Sequence, residues 1–175
     1  AISRLGSLST EAISEALDGD VRALPREFTL ALEKAETVHS LRPSPEVIDI
    51  VIDREMHEAL LKKAQAIGIP FLTEQVRREI DFLNLSIFLR ARKMKRDKWL
   101  VDHAFVSGGK VDPVKLSYAY EDESPDALMD VLSGTGYEFI ARRGLKLVEE
   151  GESLSDIERF FAGAVSQSIR QIGRA

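Results

Sequence analysis

Histidine and acidic side chains are the groups in this sequence that could bind a metal ion or transfer protons. The segment HEALL (57–61) begins as a zinc-protease helix does, but Leu61 stands where that motif needs its second histidine. Two ligands therefore cannot converge on one ion, and the other histidines, His39 and His103, are distant in sequence. The chain has no cysteine, which excludes disulfides and cysteine-bound metals. We predict no metal site and no cofactor.

Two glycine-rich segments, SGGK (107–110) and SGTG (133–136), are the places where the backbone could approach a phosphate. Neither completes the phosphate-binding loop with its Lys-Ser/Thr ending, and neither follows a predicted strand, so we interpret both as turns. A di-iron bundle needs two Glu-x-x-His motifs, and this spacing occurs once, at Glu36 and His39; the serine nucleophile elbow is also missing. We therefore expect no catalytic residue and predict that the chain is not an enzyme.

A carboxylate and an amide, Asp81 and Asn84, lie within the strongly apolar segment REIDFLNLSIFLRARK (78–93). On a helical wheel they fall between two apolar stripes, which is typical of a helix packed between other helices. One stripe consists of Val76, Ile80, Leu83, Ile87 and Met94, and the other of Phe82, Leu85, Phe88 and Leu89.

A buried carboxylate could handle protons, but a hydrogen-bonded polar seam that fixes the register of the helix is the favoured interpretation. Arg77 and Arg78 lie one turn before Asp81, and Asn84 lies three residues after it, so we expect these three side chains to satisfy the carboxylate. If Asn84 is buried and bonded, Asn84→Ala should lower the free energy of unfolding by about 1–3 kcal/mol.

Basic residues are concentrated between positions 77 and 98, and a nucleic-acid-binding helix would place them on one face. At 100° per residue they instead spread over several faces, and the chain as a whole carries a net charge of −5. A surface exposed to solvent or to another subunit is therefore favoured over a phosphate-binding track. The basic residues are Arg77, Arg78, Arg90, Arg92, Lys93, Lys95, Arg96 and Lys98.

Helical periodicity extends over nearly the whole sequence, and alternation of period two is scarce, so the sequence predicts an all-α fold. The composition, with 44% hydrophobic and 30% charged residues, is typical of a globular protein, and no apolar run is long enough to cross a bilayer. Cap signals predict helix starts after Pro25, at Ser44-Pro45, Asp112-Pro113 and Ser124-Pro125, and at a capping box formed by Ser155 and Glu158.

The longest predicted helical stretch, 70–105, should bend near Lys95–Lys98, where the apolar pattern lapses. The segment VSGGKVDP (106–113) follows it and combines glycine, proline and charge. We therefore predict an internal domain boundary there, with one domain at 1–106 and another at 107–175.

Several motifs resemble the C subunit of the V-type (archaeal and bacterial A/V-type) ATPase, the relative of the eukaryotic d subunit. The similar segments are VIDREMHEALL (51–61), FLTEQVRREIDFLNLSIFLRARK (71–93), VSGGKVD (106–112) and LSDIERFF (154–161). The matched motif positions include Asp53, Ile80, Asp81, Asn84, Leu85, Leu89 and Arg90.

The sequence departs from this family pattern in two ways. Met56, His57 and Ala59 replace the usual aromatic residues after the Asp-Arg pair, so local packing there should differ. The family chain is also markedly longer, with three related helical domains. The resemblance implies a fragment that lacks the first domain and the extreme C-terminal segment, with the middle domain at 1–106 and part of the third at 107–175.

The resemblance implies a funnel-shaped, pseudo-threefold protein without catalytic activity, on the cytoplasmic side of the membrane. Such proteins receive the foot of the central stalk and couple its rotation to the proteolipid ring that translocates ions, so they are peripheral to the membrane through the complex. We expect Arg92, Lys93, Lys95 and Arg96 to contact an acidic partner or ring loop. Alternatives are a cytosolic all-helical adaptor and a basic nucleic-acid-binding module, of which the net charge disfavours the second.

Overall fold

A computed structural model describes residues 15, 20–122, 124–153, 155–157 and 159–163 of the chain. These residues contain seven α-helices, a 3-10 helix at Val21–Ala23 and no strand, so the predicted all-α fold is confirmed. The α-helices are α1 (Arg26–Leu41), α2 (Pro45–Ile67), α3 (Pro70–Met94), α4 (Lys98–Ala104), α5 (Pro113–Asp122), α6 (Pro125–Leu132) and α7 (Glu138–Glu149). Residues 155–157 and 159–163 are also helical.

Side-chain caps account for several helix starts. The Ser124 hydroxyl accepts a hydrogen bond from the N–H of Asp126 at 3.2 Å, and α6 begins with the proline between them. The predicted starts of α1, α2, α5 and α6 are confirmed. The predicted capping box at Ser155 is placed differently, because Ser153 caps this turn and its hydroxyl donates to Asp156 at 2.5 Å. Glu158 lies outside the described residues.

The helical stretch 70–105 is interrupted by a full helix end where a bend was expected. Helix α3 ends at Met94, and Lys95 adopts a left-handed conformation with φ 51°. The backbone N–H of Lys95 bonds to the last-turn carbonyls of Ala91 and Arg92, which closes the helix. Helix α4 then begins independently at Lys98.

The chain divides into two compact units, 1–56 and 57–175. In the first unit, small or β-branched residues of α1 and α2 are buried, among them Ala31, Ala35, Val47 and Val51. An ion pair between Lys34 and Glu55 links the two helices. The predicted boundary at residue 106 concerns the domains of the resembled family and stays a prediction.

In the second unit, α3 is the central element, and its two apolar stripes pack into two separate clusters. Phe82, Leu85, Phe88 and Leu89 belong to the large cluster with α4–α7, whereas Val76 and Ile80 pack with Leu61, Ala64 and Val106. The prediction of a helix buried on two sides is therefore confirmed.

Two members of the predicted first stripe of α3 behave differently from the others. Met94 is 42% exposed because it lies at the very end of the helix, beyond the packed turns. Ile87 packs against the large cluster that the second stripe forms. On the side of α3 that packs against Leu61, Ala64 and Val106, the stripe therefore consists of Val76, Ile80 and the half-buried Leu83.

Candidate functional site

The polar seam of α3 is fully buried, and Asn84 binds one residue of the loop after α4 through both ends of its amide. Its Nδ2 donates to the carbonyl oxygen of Val106 at 2.8 Å, and its Oδ1 accepts from the Val106 N–H at 2.8 Å. Asn84 and Val106 are each 0% exposed. The amide therefore replaces the backbone partner that this loop residue would have in a helix or sheet.

Asp81 accepts hydrogen bonds from the same loop and from a distant tyrosine. Its Oδ1 accepts from the Val111 N–H at 2.9 Å, and its Oδ2 accepts from the Tyr137 hydroxyl at 3.0 Å. The backbone N–H of Lys110 also contributes a hydrogen bond. We call the assembly of Asp81, Asn84, Tyr137 and loop residues 106–111 the polar clamp.

The partners of Asp81 differ from those expected. The seam is satisfied, as predicted, but Arg77, Arg78 and Asn84 were the wrong partners. Arg78 remains partly exposed and lies 3.6 Å from Glu74, at the surface of α3. The loop brings buried backbone N–H groups that need an acceptor, whereas an arginine can keep its charge near water, so the carboxylate serves the loop.

Two glycines let the loop approach the helix closely. A Cβ atom on Gly109 would lie 2.1 Å from Asp81 Oδ1, and one on Gly108 would lie 2.2 Å from Leu61 Cδ2. Gly108 also has φ +106°, which a side chain disfavours. The segment SGGK is a run of bends between α4 and α5, where a turn was predicted, and its two glycines shape it for contact with α3. Lys110, the last residue of this segment, forms an ion pair with Glu74 of α3, with 2.8 Å between Nζ and Oε1.

Burial governs the protonation of the clamp. It raises the pKa of Asp81, although the hydrogen bonds from Val111, Lys110 and Tyr137 oppose this effect. Burial and the neighbouring carboxylate also raise the pKa of Tyr137. Asp81 is 0% exposed, so its carboxyl group has no contact with solvent. The arrangement therefore favours a structural connection between α3, the loop and the start of α7 over proton transfer.

A comparison of the sequence with protein-family models identifies the family of this chain. A model of the ATP synthase (C/AC39) subunit family matches residues 2–175. The chain belongs to this family. It is therefore a component of a V-type ATPase or ATP synthase, and the resemblance to the C and d subunits is confirmed. Comparisons with curated proteins and with solved structures found no match.

Two general findings accompany this ATP synthase family membership. Across the described part of the chain, the helices are too short or too polar to traverse a lipid bilayer. The same residues contain no group of three or more histidine, cysteine, aspartate or glutamate side chains placed to hold a metal ion.

Of the four polar residues among the matched family-motif positions, the structure brings two together. Asp81 and Asn84 both belong to the polar clamp, whereas Arg90 lies on the exposed side of α3 and Asp53 is exposed on α2. Tyr137 is a clamp residue that the sequence did not indicate. It follows the turn SGTG and stands 56 positions from its partner, and no spacing rule connects the two.

The four residues predicted to contact a partner differ in their exposure and in the contacts they make within the protein. Arg92 is committed within the protein itself, because its guanidinium donates to the Ala119 carbonyl at 2.8 Å and lies 5.1 Å from the centre of the Phe88 ring. It therefore connects α3 to α5. Lys95 is exposed at the helix end, and Lys93 and Arg96 are half-buried.

Proposed function

We propose that this chain is a non-catalytic central-axis component that couples the central stalk of a rotary V-type ATPase or ATP synthase to its membrane ring. The family membership over nearly the whole chain supports a place in such a complex. The observation that carries the mechanical part of the proposal is the polar clamp, which fixes α3 to the loop at 106–111 and to Tyr137 through bonds at 2.8–3.0 Å.

A coupling protein must transmit force without changing shape, and the polar clamp provides directional resistance to sliding. Apolar contacts on the two sides of α3 exclude water, but they tolerate small shifts between surfaces. Hydrogen bonds with buried partners do not, because a shift of an ångström leaves polar groups unsatisfied. A helix held in both ways is suited to transmit torque.

Under this proposal the partners are the central-stalk subunits and the proteolipid ring, and the protein lies at the cytoplasmic face of the membrane. It contributes to ion translocation without binding a nucleotide or a cofactor. We further propose that residues 1–106 correspond to the middle domain and 107–175 to part of the third domain of a three-domain funnel. The division and the pseudo-threefold arrangement are both part of the proposal, and the boundary is placed at the segment 106–113 because it combines glycine, proline and charge.

The end of α3 is a proposed contact with an acidic partner or ring loop. Lys93, Lys95 and Arg96 remain as candidates, and Arg92 is withdrawn because it binds α5. The triple substitution of these three residues by glutamate should weaken binding to stalk or ring in low salt. Unchanged binding would reject this contact and leave the coupling role to be judged by gene deletion and complementation.

The coupling role itself is tested by deleting the gene for the full-length protein and measuring two activities of the membranes. We expect ion pumping driven by ATP to be lost, while the nucleotide-binding subunits still hydrolyse ATP. Expression of the wild-type protein should restore pumping. A strain that pumps normally without the protein would contradict coupling and favour the helical adaptor, and salt-sensitive binding to nucleic acid would favour the other alternative.

A further inference from the structure

Helix α7 has a solvent-facing surface that the packing of the protein does not use. Phe139, Arg142, Arg143 and Lys146 recur at the spacing of one helix face and fall within an arc of about 100°. Phe139 is 80% exposed, and the three basic side chains are also exposed. We call these four residues the α7 basic face.

The orientation of this helix is fixed by the opposite side. Ala141, Gly144 and Leu145 are buried in the large apolar cluster, and a Cβ atom on Gly144 would lie 2.4 Å from Leu89 Cδ1. Helix α7 therefore packs closely against α3 and cannot rotate to bury Phe139 without losing that contact.

The two arginines of the α7 basic face have no ion-pair partner among the described residues. Glu138 stands one turn before Arg142, where an acidic residue could neutralise it. Its carboxylate is instead directed at the preceding turn, where Oε1 accepts from the Gly134 N–H at 2.8 Å. Lys146 Nζ lies 3.5 Å from Glu150 Oε1 in an exposed ion pair. Although the chain as a whole is acidic, α7 therefore carries a local cluster of positive charge next to the exposed ring of Phe139.

We propose that the α7 basic face docks an acidic, carboxylate-bearing segment of a neighbouring subunit in the rotary complex, and this inference rests on the proposed function. Charge complementarity supplies the orientation, and Phe139 supplies an apolar anchor of the kind that concentrates binding energy at interfaces. The segment it fits is short, because the four residues span about 10 Å of helix.

A short protein segment suits this surface better than the other possible occupants. The α7 basic face spans about 10 Å and is followed by Glu149 and Glu150, so a continuous phosphate backbone would extend past it onto like charge, whereas a short acidic segment would not. Residues 164–175 include two arginines and no acidic side chain, so repulsion between like charges disfavours them as the occupant of the α7 basic face.

The test uses the full-length protein and membranes from a strain that lacks it, supplemented with purified central stalk. Binding is measured by co-sedimentation at about 50 mM and about 300 mM KCl. We expect Arg142→Glu/Arg143→Glu to weaken binding about tenfold or more at low salt and much less at high salt. Phe139→Ser should weaken it at both. The matched control, Lys62→Glu/Lys63→Glu, changes charge equally at exposed positions of α2 and should bind as the wild type does.

The outcomes separate this inference from the proposed function. If the wild-type protein binds and the double variant binds equally well, the α7 basic face is not the docking surface, although the coupling proposal stands. If the wild-type protein does not bind at all, both fail. A wild-type dimer that Arg142→Glu/Arg143→Glu dissociates would overturn the inference by making a second copy the occupant. Equally, an affinity for duplex DNA that this variant abolishes would overturn it.

Discussion

Replacing Asn84 by alanine removes one arm of the polar clamp without altering any charge. The substitution deletes two hydrogen bonds to Val106, each of 2.8 Å, and leaves the N–H and carbonyl groups of Val106 without those partners at a site that is 0% exposed. Two net hydrogen bonds contribute about 2 kcal/mol, and unsatisfied buried groups add about 1–3 kcal/mol in total if water relieves part of the penalty.

The expected loss in unfolding free energy is therefore about 3–5 kcal/mol, above the 1–3 kcal/mol that follows from a single bonded amide. Urea unfolding of the purified chain, followed by circular dichroism, measures it as a lower midpoint at similar slope. Gln65→Ala is the control, because it truncates an amide at an exposed position of α2 and should change stability by less than about 0.5 kcal/mol.

Asn84→Asp separates the loss of hydrogen bonds from the loss of volume. It keeps the shape but places an oxygen against the Val106 carbonyl, so only the protonated acid can donate there. Burial should raise the folded pKa of this new carboxyl, so the variant should gain stability relative to wild type as the pH falls. Coincident urea curves for wild type and Asn84→Ala, or a variant Asn84→Asp that is insensitive to pH, would refute the clamp.

Two further predictions address the other members of the polar clamp. Gly109→Ala should lower the free energy of unfolding by about 2–4 kcal/mol, because its Cβ would lie 2.1 Å from Asp81 Oδ1. Gly134→Ala is the control: its Cβ would meet open space, so it should lower stability by about 1–2 kcal/mol through its φ of +75° alone. Equal losses in urea melts would argue against the close approach of Gly109. Tyr137 has a raised folded pKa, so its contribution to stability is complete below about pH 10 and is lost as the pH rises. Tyr137→Phe should remove up to about 1.4 kcal/mol per pH unit of that alkaline slope, and a slope that matches the Tyr118→Phe control would contradict the assignment.

The sequence was informative where the local pattern was strong. The two apolar stripes of α3 required burial on both sides, and from this followed the burial of Asp81 and Asn84 between them. Proline and serine caps located the starts of four helices because these residues act on their immediate neighbours.

The partners in the polar clamp were not predictable, because they depend on tertiary packing. Arg78 is near Asp81 along the helix, yet Tyr137 is the side chain that reaches the carboxylate across 56 positions. Arg92 similarly looked like a surface charge, but its guanidinium is held by α5. Proximity in sequence limits which side chains can meet, and only the fold decides which of them do.

The choice of polar groups at the centre of α3 has a mechanical rationale. A well-packed apolar replacement of a buried polar group can be equally stable, so the polar clamp is not required for stability alone. What polar pairs add is a single register, because each donor has one acceptor at the correct distance. In a protein proposed to pass torque from a stalk to a ring, a shift in the register of α3 would reduce the transmitted rotation. Under that proposal, the buried amide and carboxylate of the polar clamp are the groups that oppose such a shift.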